Sequence, residues 1–261
     1  MPVRTVRATR YVTPLREGGS LPAIVEADDD GLYVMKFRGA GQGSRALIAE
    51  LLAGELARAL GFRVPEVVKI ELDPALGRTE PDDEIRDLIK ASAGLNLALD
   101  FLPRSVTFDP VPGPAPDAET ASAIVWFDAL ITNVDRTPRN ANLLRWHRAL
   151  WLIDHGAALY VHHAWEGFEE KARTPFPAIR DHVLLPWATK LRQVHESLAP
   201  KVTLELLDAL IAEIPDEWLS PAPFFASVAE NRAAYRTFFD LRLKAADLWL
   251  EEADRARAAL V

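Results

Sequence analysis

The sequence predicts an α+β fold with two lobes: a small β-rich N-terminal lobe with one helix, then a larger, mainly helical C-terminal lobe. Positions 1–102 consist mostly of short strand-like apolar runs, together with one segment of helical periodicity. Positions 103–117 contain five prolines and lack apolar periodicity, which is typical of a semi-rigid connector. In positions 118–261 most apolar residues recur at helical spacing. We therefore expect one overall domain made of two lobes and a connector.

The N-terminal lobe begins with a predicted hairpin. PAIVEA at 22–27 and LYVMKF at 32–37 are strand-like runs, and Asp30-Gly31 between them is a strong turn signal. The run SRALIAELLAGELARAL has apolar residues at helical spacing and precedes Gly61, a typical C-terminal cap. The elements predicted after the hairpin are a helix at 44–60 and strands at 65–72 and 95–102.

The C-terminal lobe is predicted to be helical apart from one strand pair. NLLRW and LWLID read as two short strands on either side of Arg148. Helical segments are predicted near 118–132, 181–198, 203–213 and 227–258.

Composition excludes several classes of function. The formal net charge of −8 argues against direct nucleic-acid binding, which needs a basic surface. The chain has no cysteine, so thiolate catalysis and zinc–thiolate sites are excluded. No apolar run approaches the ~18 residues of a membrane span, and the N-terminus lacks a signal-peptide core. We expect a cytoplasmic protein with neither a nucleic-acid nor a membrane partner.

The motif with the clearest chemistry lies between positions 133 and 156. Asp135 stands five residues before Asn140, and Asp154 ends the apolar run LWLID before His155-Gly156. Phosphoryl transfer needs a carboxylate near the attacking hydroxyl and oxygen ligands for the magnesium ion on the phosphates. An Asp-x-x-x-x-Asn loop followed by a second Asp at a strand end supplies both in protein kinases. The spacing therefore predicts a protein-kinase-like fold, with ATP and Mg²⁺ as cofactors.

The motif assigns a role to each polar residue. Asp135 is the candidate catalytic residue, which accepts or orients the proton of the substrate hydroxyl. Asn140 and Asp154 are the candidate magnesium ligands, because hard cations prefer oxygen donors. Asn142 lies two residues beyond Asn140 and is the alternative ligand.

A kinase also needs a lysine for the phosphates and a helix glutamate that holds it. Lys36 lies within the strand LYVMKF and is the candidate lysine. Glu50 and Glu55 of the following helix compete for the partner role. They are five residues apart, so they point about 140° apart and cannot both serve. Helical position alone leaves the choice open.

The phosphate-covering loop has the least specific signal. Gly18, Gly19 and Ser20 precede the first hairpin strand and could lay backbone amides over the phosphates. An ordinary turn is an equal alternative, because the Gly-x-Gly-x-x-Gly pattern is not matched. The Walker A pattern is absent, which excludes a P-loop enzyme at the level of motifs.

Two segments resemble a known family. NVDRTPRNANLL followed by LWLIDHG is similar to the HipA-like kinases and, more distantly, to the type II phosphatidylinositol 4-kinases. AELLAGELARALGFRVPEV resembles the HipA-like pattern in which a glutamate precedes a Leu-Ala-x-x-Leu-Gly-x-x-Val-Pro run. The resemblance spans about residues 18–160. It implies that Glu50, not Glu55, holds Lys36.

The resemblance also implies an adenine site and an acceptor. Leu99, Asp100, Phe101 and Leu102 would line the adenine site at the hinge between the lobes. A protein serine or threonine would be the phosphoacceptor. HipA-type toxins carry an N-terminal subdomain before the phosphate lysine. We expect none here, because Lys36 comes too early, so membership of a toxin–antitoxin system is not implied.

Two other classes of function compete with an active protein kinase. A nucleotide-binding pseudokinase with a regulatory role would explain the irregular glycine loop. A kinase for a small molecule or a lipid would use the same catalytic residues on another hydroxyl.

Overall fold

A closed barrel of five strands forms the N-terminal part of the molecule. The computed structural model describes residues 2–15, 21–78, 80–110, 115–220 and 223–260. The barrel order is β1-β2-β3-β5-β4, with β1 parallel to β4 and the other neighbours antiparallel. Its strands are β1 (Thr5–Pro14), β2 (Ala23–Ala27), β3 (Leu32–Lys36), β4 (Val67–Leu72) and β5 (Gly94–Asp100).

Alternation along the predicted hairpin decides which side chains enter the barrel. In β3, Tyr33 and Met35 are buried inside, next to Val25 of β2. Because successive side chains of a strand point to opposite faces, Lys36 points away from the barrel interior. The same strand therefore supplies the barrel core and one polar residue on its outer face.

The described residues of the N-terminal part form two α-helices, so the prediction of a single helix is wrong. Helix α1 (Ser44–Ala59) is the expected one, and α2 (Asp83–Ala91) was missed. The Asp82 side chain caps α2 by accepting a hydrogen bond from Glu84 N, at 3.0 Å. Ile85 and Ile89, four residues apart, are buried against the barrel core. These two signals were readable in the sequence.

The predicted connector contains regular structure. Strand β6 (Val106–Thr107) pairs with β7 (Leu143–Trp146), which pairs in turn with β8 (Ala149–Leu152). Phe108 is buried, and its backbone N–H donates to Leu143 O at 2.9 Å. Residues 111–114 lie outside the described residues. The first part of the connector thus belongs to the sheet that carries the LWLID strand.

The C-terminal part is mainly helical, as expected. Pro186 interrupts the helix predicted at 181–198: it lies in a 3₁₀ turn at Leu185–Trp187, and only the end of the segment is α-helical. The long helix predicted at 227–258 is broken at Ala245. The helices are α3 (Ala118–Leu130), α4 (Phe168–Ala172), α5 (Leu191–Leu198), α6 (Leu204–Ala212), α7 (Val228–Lys244) and α8 (Ala246–Ala258). No described helix is both long and apolar enough to span a membrane.

Helix α1 lies between the barrel and the helical part. Its apolar residues belong to the larger of two hydrophobic clusters, together with α3 and α5–α8. Ser44 at its start donates to Trp218 O at 2.9 Å, and the Trp218 indole donates to Leu95 O of β5 at 3.3 Å. Lys69 of β4 forms an ion pair of 2.9 Å with Glu213. Contacts from both parts of the molecule therefore fix the position of α1 and of Glu50 on it.

Candidate active site

Asp135 lies on the loop that follows α3, where three asparagines surround it. Its Oδ2 accepts hydrogen bonds from Asn140 Nδ2 at 2.7 Å and from Asn142 Nδ2 at 3.1 Å. Its backbone N–H donates to Asn133 Oδ1 at 3.2 Å. Burial raises the pKa of the Asp135 carboxyl above its usual range, and the nearby Asp154 charge acts in the same direction. A carboxylate with a raised pKa suits a proton acceptor.

A buried ion pair anchors this loop to the helix before it. Arg136 Nε lies 2.5 Å from Asp128 Oδ2, and His182 Nε2 lies 2.8 Å from the same oxygen. The Arg136 guanidinium also donates to Asn142 O, and Val183 N donates to Arg136 O at 3.0 Å. Desolvation alone would raise the pKa of Asp128, but Arg136 and His182 hold it below its ordinary value. The loop is thus fixed at the residue next to Asp135.

The motifs in the sequence did not identify Asp128 and His182. The one local signal was a charged residue within the apolar run of α3, AIVWFDALI. A carboxylate buried in such a run requires a partner. Of its two partners, Arg136 lies eight positions away, whereas His182 is 54 positions away and no local pattern connects it with Asp128.

Arg136→Met should destabilise the fold strongly, because it leaves Asp128 buried without its cationic partner. We expect a loss of about 3–5 kcal/mol in the free energy of unfolding, the usual effect of breaking a buried pair. Arg139→Met on the exposed side of the same loop is the matched control and should change it by less than about 0.5 kcal/mol. Urea denaturation of both variants measures the difference. Equal unfolding free energies would show that the pair does not anchor the loop.

Lys36, Glu50 and Asp154 form a second charged cluster on the outer face of the barrel. The Lys36 ammonium forms an ion pair with Glu50 Oε2 and another, of 2.5 Å, with Asp154 Oδ1. The Glu50 side chain is completely buried, whereas the Asp154 side chain is 43% exposed. Glu55 instead pairs with Arg58 on the surface of α1, at 2.7 Å. The structure therefore brings Glu50, and not Glu55, to Lys36.

The two charges of the buried pair stabilise each other. Desolvation alone would raise the pKa of Glu50, but the Lys36 ammonium and the contacts of His155 lower it to about 2. Desolvation would likewise lower the pKa of Lys36, yet the carboxylates of Glu50 and Asp154 raise it above its ordinary value. Both groups are therefore charged at neutral pH, and Lys36 is available as a fixed cation for phosphate oxygens.

Backbone and side-chain contacts connect the two clusters. Ile153 N donates to Asn142 O at 3.1 Å, and Asn142 Nδ2 lies 3.5 Å from Asp154 O. Asn142 and Asp154 both have left-handed backbone conformations, with φ of 47° and 55°. Such conformations are uncommon away from glycine and concentrate at functional sites. The residues of the Asp135 loop and the aspartate that ends LWLID thus belong to one candidate site.

The oxygen donors present suit a cation shared with a nucleotide. Asn140 is exposed, and because its Nδ2 faces Asp135, its Oδ1 is free to bind a cation. Lys36 contacts Oδ1 of Asp154, so the second oxygen of this half-exposed carboxyl can serve as another ligand. Among the described residues, no group of three or more acidic or histidine side chains could hold a metal ion. Mg²⁺ is commonly bound by one or two protein oxygens together with phosphates and water, and this site fits that mode.

The structure gives less information about the residues predicted to bind the adenine ring and to cover the phosphates. Leu99 and Leu102 are buried at the end of β5, whereas Asp100 is exposed and Phe101 donates its N–H to Leu32 O at 2.8 Å. Gly18, Gly19 and Ser20 lie outside the described residues. A cavity of about 860 Å³ borders the last turns of α1, and another of about 380 Å³ lies next to the residues that follow this helix. Lys36, Asp135 and Asp154 line neither of them. The charged residues, and not these cavities, therefore mark the candidate site.

The barrel, the fixed helix and the two carboxylate clusters define a phosphotransferase of the kinase class. The HipA-like kinase family model matches residues 9–252, and the chain belongs to this family. A search of curated proteins found no match.

Solved kinase structures have the same fold. The proinflammatory kinase CtkA of Helicobacter pylori superposes with a TM-score of 0.60 at 14% identity, covering 100% of both chains. The Golgi casein kinase with Mn/ADP bound superposes with a TM-score of 0.53 at 14% identity, covering 100% of this chain and 75% of that one. At this level of identity the two likenesses establish the fold alone.

Proposed function

We propose that this protein transfers the γ-phosphoryl group of ATP to a hydroxyl, with Mg²⁺ as cofactor and a protein serine or threonine as acceptor. The observation that carries the proposal is the contact of Lys36 with both Glu50 and Asp154, beside the Asp135 loop. Kinases need this lysine–glutamate pair and this metal-binding aspartate in place at once.

Each residue has a distinct role in the proposed reaction. Lys36 binds the α- and β-phosphates, and Glu50 holds its ammonium in place. Asp154 and Asn140 hold the metal ion, which when bound neutralises charge on the phosphates. Asp135 orients the acceptor hydroxyl and takes its proton, helped by its raised pKa. Because transfer needs the reacting oxygens in line, the fixed positions of these groups supply most of the catalysis.

The nucleotide would lie between the two parts of the molecule. We assign residues 1–102 to an N-terminal lobe, 103–117 to a connector and 118–261 to a C-terminal lobe of one kinase-like domain. Residues 99–102 would receive the adenine ring, and Gly18, Gly19 and Ser20 would cover the phosphates. The family resemblance supports the adenine assignment, and the two adjacent glycines, whose backbone amides could cover phosphates, motivate the second.

A transfer assay with γ-labelled ATP separates this function from that of a pseudokinase. The protein is incubated with Mg²⁺ and a mixture of soluble proteins, and Asp135→Asn serves as the inactive control. We expect label on proteins with the parent chain only, and phosphoserine or phosphothreonine after hydrolysis. Nucleotide binding without any transfer would instead support a pseudokinase. Label on lipid or small-molecule hydroxyls alone would overturn the proposed acceptor.

Glu50→Gln should reduce phosphoryl transfer, and Glu55→Gln should not. Glutamine keeps the size of the buried side chain but removes the charge that holds Lys36. A charge-assisted hydrogen bond contributes about 1.5–3 kcal/mol, so kcat/KM should fall roughly 10–150-fold. Glu55 is the matched control, because it lies on the same helix and pairs with Arg58. The opposite ranking of the two variants would reassign the partner of Lys36.

A further inference from the structure

We propose that His155 is a positioning residue, whose ring holds the Glu50 carboxylate in the orientation that binds Lys36. This inference deepens the proposed function and rests on it. No family motif that we identified in the sequence assigns a role to this ring. Its contacts within the site do.

The Glu50 carboxylate binds three donors, and two of them belong to His155. Oε2 accepts from the Lys36 ammonium and from the backbone N–H of His155, at 2.8 Å. The His155 ring nitrogen Nδ1 lies 3.3 Å from the other oxygen, Oε1. Because an ionised carboxylate can only accept, Nδ1 must carry the hydrogen in this contact. The ring therefore fixes the half of the carboxylate that Lys36 does not touch.

The surroundings of the ring leave it no other polar role. The side chain is completely buried, and its edge packs against Phe127 at 6.1 Å between ring centroids. Within the described part of the chain, its second nitrogen, Nε2, has no hydrogen-bond partner. A phenylalanine would fill the same space without burying an unpaired nitrogen. The polar contribution of the imidazole is thus confined to Nδ1 and Glu50.

Because of the position of His155 in the chain, its contact with Glu50 also connects the proposed metal ligand to helix α1. His155 directly follows Asp154, the proposed metal ligand, whereas Glu50 lies on α1 and Lys36 on β3. The ring and the backbone N–H together attach the end of the LWLID strand to the helix. Asp154, Glu50 and Lys36 are consequently held as one unit before a nucleotide binds. Losing the ring contact should disturb how Lys36 meets the phosphates more than how tightly ATP binds.

Three substitutions separate the hydrogen bond from the packing. His155→Asn places an amide nitrogen where Nδ1 lies, whereas His155→Gln places it where Nε2 lies. His155→Phe keeps a ring and removes both nitrogens. We expect the Asn variant to stay within about threefold of the parent kcat, and the Phe and Gln variants to lose roughly 10–100-fold, with KM for ATP changed less. Equal kcat for Asn and Phe, whether high or low, would overturn the positioning role.

A second measurement works without activity. Long-range ¹H–¹⁵N spectra of the nucleotide-free protein report which ring nitrogen of a histidine carries hydrogen, and the Asn variant identifies the His155 signals. We expect hydrogen on Nδ1 in the parent and a changed Nδ1 signal in Glu50→Gln. Hydrogen on Nε2 alone would overturn the inference. If the spectra agree but the parent transfers no phosphate, the proposed function fails and the contact stands.

Discussion

Asp135→Asn should bind Mg-ATP nearly as the parent does while turnover falls by roughly 10²–10⁴-fold, the usual contribution of a positioned acid–base group. Asparagine keeps the shape of the side chain, and its carbonyl oxygen can still accept from Asn140 or Asn142. The ion pair between Arg136, the next residue, and Asp128 anchors the loop, so the substitution should leave the loop conformation unchanged. The change removes only the negative charge of the carboxylate, to which we assign the proton of the hydroxyl. Calorimetric titration with Mg-ATP, beside a turnover assay, measures both quantities.

Asp87→Asn is the control for this experiment. Asp87 is exposed on α2, far along the chain from the loop, and has no assigned role. We expect it to bind Mg-ATP and turn over like the parent. If Asp135→Asn also turns over like the parent, Asp135 is not the catalytic base. A large loss of Mg-ATP binding in that variant would instead make it part of the nucleotide site.

Asp154→Asn should remove most of the effect of magnesium on ATP binding. The parent should bind ATP much more tightly with Mg²⁺ than without it, because a carboxylate ligand and the phosphates share the ion. In the variant we expect the ratio of the two dissociation constants to fall by at least about tenfold, which corresponds to 1.4 kcal/mol. Binding without magnesium should not weaken, since the change removes a negative charge near the phosphates.

The comparison of Asp154→Asn with Asp135→Asn tests the division of roles. The first variant should lose the metal dependence and the second only the turnover. An unchanged magnesium dependence in Asp154→Asn would mean that other oxygens hold the ion. Asn142→Ala would then be the next variant, because Asn142 lies between the two aspartates.

Local patterns in the sequence predicted most of the barrel and of the site. The strand-like run LYVMKF and the Asp30-Gly31 turn placed Lys36 on a strand of a hairpin. The five-residue spacing from Asp135 to Asn140 and the charge at the end of LWLID identified both clusters. Each of these signals spans only a few residues, where periodicity and turn chemistry are informative.

Such local patterns did not predict contacts between residues that are far apart in the chain. Helical position alone could not choose between Glu50 and Glu55; the family resemblance favoured Glu50, and the structure brings this residue to Lys36. The contact of the His155 ring with Glu50 joins residues 105 positions apart. Trp218, which lies against the start of α1, is 174 positions from Ser44. Helix α2 was missed for a different reason: its Asp82 cap and its Ile85–Ile89 spacing are local signals, but the segment before it has the composition of a loop.

The most direct test of the site is a crystal structure with a non-hydrolysable ATP analogue and Mg²⁺. We expect the phosphates to lie against Lys36, with its ion pair to Glu50 intact. We also expect a metal ion bound to Asp154 and Asn140, and an open position for a hydroxyl beside Asp135. A nucleotide bound away from Lys36, or a metal ion without Asp154 among its ligands, would contradict the proposed site.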